Sequence, residues 1–183
     1  YNLLLGVKWR QAIHHAEDNN LLNTGLYGSR PGRSAHDPIF LEIMQNETYR
    51  ASMKSAIHKD LNATSCYDRI LAWIANTCSR RMGVNQMVTE VNCRMLEQAK
   101  FYLKTTMDVS EEFYQHCEAY PIYGTGQGSG NSPHVWCFIS STLFDAFEEK
   151  AHGAKFYSYD GNSSIQIYML GFVDDCSQQV NDF

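Results

Sequence analysis

An apolar run from Ile165 to Val173 ends abruptly in two adjacent carboxylates, Asp174 and Asp175. The run is rich in β-favouring residues and too short for a membrane span, so it reads as the second strand of a hairpin. Its end is the constraint. Two neighbouring carboxylates repel one another unless water or a cation sits beside them. The simplest partner is a divalent ion with oxygen ligands, Mg²⁺ or Mn²⁺. The plainer alternative is an acidic hairpin tip facing solvent.

The remaining elements fix the fold class. Residues 3–18 carry Leu4, Val7, Ile13 and Ala16 at intervals suited to a helix, broken by Asn19-Asn20. Tyr27 to Arg33 is a loop punctuated by Gly and Pro. Ser34 is placed to cap a helix running to about Met53, with Ile39, Phe40, Ile43 and Met44 as its apolar face. Ala56 to Ala63 reads as a strand. Tyr67 to Met82 reads as one helix, with Ile70, Leu71, Ile74 and Cys78 inward and Gly83 at its end. Asn85 caps a further helix to about Lys104, and two short strands are expected between Thr105 and Tyr123. Ser132-Pro133 starts a helix to about Lys150. Phe156 to Tyr159, an Asp160-Gly161 turn and Ile165 to Val173 complete a hairpin. Helices and antiparallel strands without regular βαβ alternation predict an α+β fold.

Between these elements lies Gly124-Thr-Gly-Gln-Gly-Ser-Gly-Asn-Ser-Pro133, whose glycines let the backbone approach a ligand closely. No Gly-Lys-Ser/Thr follows, so it is not a Walker loop. A flexible connector is the plain alternative. The 183 residues suit one domain, and 44% hydrophobic content with 19% charged residues excludes disorder. No apolar run nears 18 residues and no charged segment precedes an apolar one at the start, so neither a membrane span nor a signal peptide is expected. The six scattered cysteines form no C-x-x-C pair and suit a reducing, intracellular compartment, cytoplasmic or nuclear. The formal charge of −5 runs against nucleic-acid binding, which needs Lys and Arg.

Four stretches nevertheless occur in an order that resembles the reverse transcriptases of non-LTR retrotransposons and group II introns. Tyr27-Gly-Ser-Arg-Pro-Gly-Arg-Ser34 is similar to that family's "GFRPGRS" finger segment. Asp60 to Ile70 is similar to its motif of an Asp, a few variable residues, an aromatic and Asp-Arg. Gly126 to Pro133 is similar to "PQGxxxSP", and Phe172-Val-Asp-Asp175 to "YADD". The resemblance covers roughly residues 20 to 176. It implies a right-hand polymerase palm with partial fingers, an antiparallel sheet packed by helices, with residues 1–55 as fingers and 56–183 as a palm that stops before the thumb.

The resemblance further implies an RNA-directed DNA polymerase. Such an enzyme adds deoxynucleotides to a primer 3′-hydroxyl on an RNA template, using two Mg²⁺ or Mn²⁺ ions. Asp174 and Asp175 fall on the metal-binding pair. Gln127 and Gly128 fall on the segment against the incoming nucleotide. Tyr67 falls on the aromatic that packs under the sugar and excludes a 2′-hydroxyl; read without the family, it is a core aromatic. The family's third metal ligand lies five residues before that aromatic, and position 62 is Asn. Asp60 shares its strand face and is the nearest carboxylate for the missing ligand. Asn62 therefore implies impaired catalysis, and Gly126 replaces the usual Pro. Against the family's pattern the chain lacks the first finger segment and the thumb, which suggests a piece of a larger retroelement polyprotein or a decayed copy. Two rivals stand beside the polymerase: an inactive remnant that at most binds nucleic acid, and an RNA-dependent RNA polymerase, which Tyr67 opposes. Arg30 and Arg33 are either template contacts or part of a solvated loop.

Overall fold

A computed structural model describes residues 2–125 and 129–181. In chain order the elements are α1 (Asn2–Asp18), α2 (His36–Ala51), β1 (Ala56–Asn62), a single 3₁₀ turn (Cys66–Arg69), α3 (Ala72–Arg81) and α4 (Gln86–Gln98). They continue with β2 (Lys100–Lys104), β3 (Val109–Gln115), α5 (Ser132–Glu148), β4 (Ala154–Tyr157), β5 (Ser164–Ile167), β6 (Leu170–Phe172) and β7 (Asp175–Asn181). The strands form a three-stranded antiparallel sheet, in the order β1-β7-β6, and the hairpins β2-β3 and β4-β5. Helices and small antiparallel sheets in this arrangement are α+β.

The core lies where α1, α3 and α5 meet the sheet. Trp9 and Ile13 from α1, Val135 and Phe138 from α5, Met82 after α3 and Leu26 are almost wholly buried. Helix α5 supplies Val135, Cys137, Phe138, Ile139 and Phe144 to this core, and Phe144 near its end packs on Gly171 of β6. On α1 the inward residues are Leu5, Trp9, Ile13 and Ala16, whereas the expected Leu4 and Val7 are exposed. The spacing of 4, 4 and 3 is the better helical stripe, and the aromatic anchors it.

Several sequence expectations fail for identifiable reasons. Ile39, Phe40, Ile43 and Met44 of α2 are exposed, and its buried residues are Pro38, Gln45 and Tyr49. Periodicity finds an apolar stripe but not the surface that meets it. Here α2 turns Glu42 and Asn46 to a polar sheet face. Ser34 does not cap α2 with its side chain; its amide donates to the Asp37 carboxylate at 2.7 Å instead.

The helix expected over Tyr67–Met82 breaks at Ile70-Leu71, which are extended. The carbonyl oxygens of Tyr67 and Ile70 accept from the amides of Thr125 and Gly124, at 3.0 and 2.8 Å, so they are taken from the helical ladder. Gly83 does close α3, with its amide on the Arg80 carbonyl, and Asn85 does cap α4 by accepting from the Met87 amide at 2.9 Å. Helix α4 ends at Gln98 because the aromatic-rich β2 pairs with β3: Phe101 stacks on Tyr114 and Tyr102 tilts against Phe113. The run Ile165–Val173 is two strands, β5 with β4 and β6 with β7.

Candidate functional site

The two aspartates sit at the β6-β7 hairpin. Val173 and Asp174 form its two-residue turn, and Asp175 opens β7 opposite Phe172. Val173 has φ of +58°, a left-handed conformation that a β-branched residue adopts only under constraint. Two contacts supply it. The Trp136 indole N–H donates to the Val173 carbonyl at 2.6 Å. From the other side Gly28 presses on the turn so closely that a Cβ there would lie 2.3 Å from the Val173 nitrogen. Residues 25–27 also bond to β6: the Tyr27 amide donates to the Gly171 carbonyl at 2.8 Å and the Gly171 amide to that of Gly25 at 2.9 Å. The Tyr27–Ser34 loop thus braces the acidic hairpin.

Strand β7 runs between β6 and β1, and its register puts Asn62 directly opposite Asp175. The Asn62 amide Nδ2 donates to Asp175 Oδ1 at 2.7 Å, and the Ala63 amide donates to the Asp174 carbonyl at 3.0 Å. Position 62, Asp174 and Asp175 therefore share one sheet end. Among the described residues, no Lys or Arg forms an ion pair with either aspartate. Asp175 is exposed and Asp174 half-buried.

Tyr67 stands beside this end. It rides on the 3₁₀ turn and meets Trp136 edge-on, ring centroids 6.5 Å apart. Burial raises its phenol pKa, and the neighbouring Cys66 and Asp174 push the same way. Cys66 is raised by burial and then by Asp174, and Cys176 is pushed up to about 11 by burial, then Asp175 and Asp174. The groups flanking the carboxylates are thus neutral protonated thiols and a phenol near pH 7. The glycine loop begins against the same turn. Gly124 has φ of +104°, and a Cβ on it would stand 2.8 Å from the Tyr67 carbonyl oxygen. Gln127 and Gly128 lie outside the described residues.

Asp60 is engaged elsewhere. It shares the sheet face of Asn62, but its carboxylate meets His58 Nε2 at 2.7 Å, on the side away from Asn62. His58 in turn reaches Glu42 at 3.0 Å. Arg30 is neither a free template contact nor solvated: its side chain is buried, paired with both oxygens of Glu17 at 2.8 and 2.9 Å, and it donates to the Asn23 and Leu26 carbonyls. Arg33 lies over the Tyr27 ring.

The sequence left Trp136 unremarked, although it links Tyr67 to the aspartate turn. Its signal was available: it lies four residues past Ser132, one helical turn into α5. A cavity of about 390 Å³ opens between α2 and the sheet, with Glu42, Asp60, Asn62 and Asp175 on its walls. The donor set at the sheet end, two carboxylates and one amide, is oxygen chemistry suited to divalent cations, provided the amide turns its Oδ1 inward. Among the described residues no helix is long and apolar enough to cross a membrane. No family model matches this chain, and no curated protein matches it significantly.

Proposed function

We propose that this chain is the palm, with part of the fingers, of a retroelement reverse transcriptase: an RNA-directed DNA polymerase that adds deoxynucleotides to a primer 3′-hydroxyl. The observation that carries the reading is the 2.7 Å contact between Asn62 and Asp175. The family pattern puts its third metal ligand five residues before the aromatic Tyr67. That is position 62, and the β1-β7 register sets it opposite the second aspartate.

Asp174 and Asp175 would hold Mg²⁺ or Mn²⁺. When bound, the ions supply Lewis-acid activation of the primer 3′-oxygen and charge for the leaving pyrophosphate. The chain's own groups set the geometry. Trp136 and Gly28 hold the turn so that both carboxylates stay at one place. The Tyr67 ring, held against Trp136, offers a floor for the sugar that leaves no room for a 2′-hydroxyl. The glycine loop leaves the Tyr67 turn at Gly124, and the family pattern assigns Gln127 and Gly128 to the segment against the incoming nucleotide. On this reading the partners are an RNA template with its DNA primer, deoxynucleotide triphosphates and the rest of a retroelement polyprotein. The compartment is cytoplasmic or nuclear, where six free thiols persist.

The second reading, a remnant that binds nucleic acid without catalysis, is favoured by one fact. The residue at position 62 brings no negative charge and spends its N–H on the carboxylate oxygen that a cation would use. Primer extension by the full-length protein on an RNA template separates the two. With Mg²⁺ or Mn²⁺, deoxynucleotides should be incorporated and ribonucleotides refused, and Asn62→Asp should raise the rate. Hybrid binding that weakens with salt, without extension by either form, selects the remnant. Neither extension nor hybrid binding overturns the family assignment, and preferred use of ribonucleotides selects an RNA polymerase.

A further inference from the structure

Glu42, His58 and Asp60 meet where α2 crosses the polar face of the sheet. His58 Nε2 lies 2.7 Å from Asp60 Oδ1 and 3.0 Å from Glu42 Oε1. One ligand-type atom from each residue lies within 4.8 Å of the others. We propose that these three side chains hold a divalent first-row transition ion of the Zn²⁺ type, which clips α2 to β1. The site is separate from Asp174 and Asp175, and the proposal does not rest on the polymerase reading.

The donor chemistry selects the ion class. Mg²⁺ takes oxygen ligands, whereas imidazole with carboxylates suits Zn²⁺, Co²⁺ or Mn²⁺. Ligands about 2.0–2.2 Å from a tetrahedral zinc stand roughly 3.4 Å from each other. The two contacts to His58 are shorter, so they must open by about 0.4 Å at Glu42 and about 0.7 Å at Asp60 as the ion replaces the shared proton.

Gln179 provides the second observation. It is 4% exposed and sits directly opposite His58 on β7. Its Nε2 lies 3.0 Å from His58 Nδ1 and 3.1 Å from Asn46 Oδ1, while its buried Oε1 has no hydrogen-bond partner. A histidine that binds metal through Nε2 carries its proton on Nδ1 and needs an acceptor there. Turning the Gln179 amide offers Oε1 for that purpose, and Asn46 can turn with it to donate. The cavity bordered by Glu42 and Asp60 leaves room for water at a fourth position.

The clip accounts for an otherwise odd packing. Helix α2 buries only Pro38, Gln45 and Tyr49 and exposes its apolar stripe, so little hydrophobic burial holds it there. An ion bridging Glu42 to His58 and Asp60 would fix it as a wall of the cavity that Asn62 and Asp175 also line.

The test is a titration of the chain with Zn²⁺ and Co²⁺ by calorimetry and visible absorption, with melting temperature read in parallel. One ion per chain and a raised Tm are expected. His58→Ala and Glu42→Gln should each weaken binding by about tenfold or more, and Gln179→Leu should weaken it within the same range. Asp174→Asn and Asp175→Asn should leave Zn²⁺ binding intact, so loss of polymerase function and loss of this site are told apart. Should His58→Ala fail to fold, Glu42→Gln decides, since it keeps the side-chain shape. Unchanged affinity in the variant that decides overturns the proposal by placing the ion on other histidines. So does a native chain that takes up no ion.

Discussion

The two faces of the β1-β7-β6 sheet are built by opposite means. The face toward α5 is closed by contact: Gly171 lies under the Phe144 ring, and its partner Cys176 packs against the same core. The face toward α2 is, along β1 and β7, a ladder of polar pairs, Asn62 with Asp175, Asp60 beside Ser177 and His58 with Gln179, with Leu170 and Phe172 of β6 at its edge. The first face derives its rigidity from excluded volume, which falls off within an ångström. The second derives it from hydrogen bonds that ions, protons or ligands can replace. A sheet made this way holds its turn still on one side and leaves the other side adjustable. That is the division a site needs if it is to bind a charged ligand without unfolding.

The strongest way to break the comparison is to delete one side chain from each face. Phe144→Ala should cost about 3–5 kcal/mol, because a buried ring leaves a cavity that the α5-β6 contact cannot close. Asn62→Ala removes one exposed hydrogen bond and should cost only about 0.5–1.5 kcal/mol. Urea denaturation of both variants reads the difference. Equal losses would mean that the polar face carries as much of the fold as the apolar one.

Overpacking probes the same contact from the other side. A Cβ on Gly171 would stand 2.5 Å from Phe144 Cζ, so Gly171→Ala should destabilise by about 1–3 kcal/mol. Adding Phe144→Leu should recover part of that loss, since the two residues touch. Strict additivity in the double variant would show that the helix, not the ring, sets the spacing.

The core also predicts an alkaline limit. Burial pushes the Cys137 thiol from its ordinary 9.0 up to about 12. A group whose pKa is raised by folding stabilises the fold fully below its unfolded pKa and loses that contribution as pH rises toward the folded value. The window here runs from pH 9 to 12, and by pH 10 the loss is on the order of 1 kcal/mol. Cys137→Ala should flatten the fall in stability between pH 8 and pH 10. The exposed Cys117 should react with a thiol reagent in the native protein while Cys137 does not.

How much of this was legible beforehand divides along the same line. The helix of α5, the Asn85 cap, the Gly83 stop and the strand at 56–62 follow from local chemistry, and the sequence shows them. That the apolar strand stops at Asp174 and Asp175 was also visible, because two carboxylates after an apolar run admit few placements. Strand β7 was not. Cys176-Ser-Gln-Gln-Val180 has little alternation, and it is a strand because β1 and β6 both bond to it. The break at Ile70 was hidden for a similar reason: its carbonyl partner, Gly124, lies 54 positions later. Asp60 was the sharpest case. Strand periodicity correctly puts it on the face of Asn62, but periodicity holds no information about His58, which engages its carboxylate together with that of Glu42.

Asn62→Asp sharpens the comparison most finely, because it changes charge on the polar face with almost no change in shape. In the native protein the amide donates to Asp175 and the pair has one negative charge. After the substitution two carboxylates face one another across β1 and β7, beside the third at Asp174. Two unit charges about 4 Å apart in water repel by about 1 kcal/mol, so the metal-free variant should be less stable than the native chain by that order. A divalent cation held by the three carboxylates reverses the sign: Mg²⁺ or Mn²⁺ should raise the Tm of the variant more than that of the native chain. Asp60→Asn, two residues earlier on the same face, should show no such gain. Thermal melts of the three proteins with and without Mg²⁺ decide it. An equal response in all three would mean that the sheet end at Asn62, Asp174 and Asp175 holds no ion, whatever its resemblance to a polymerase.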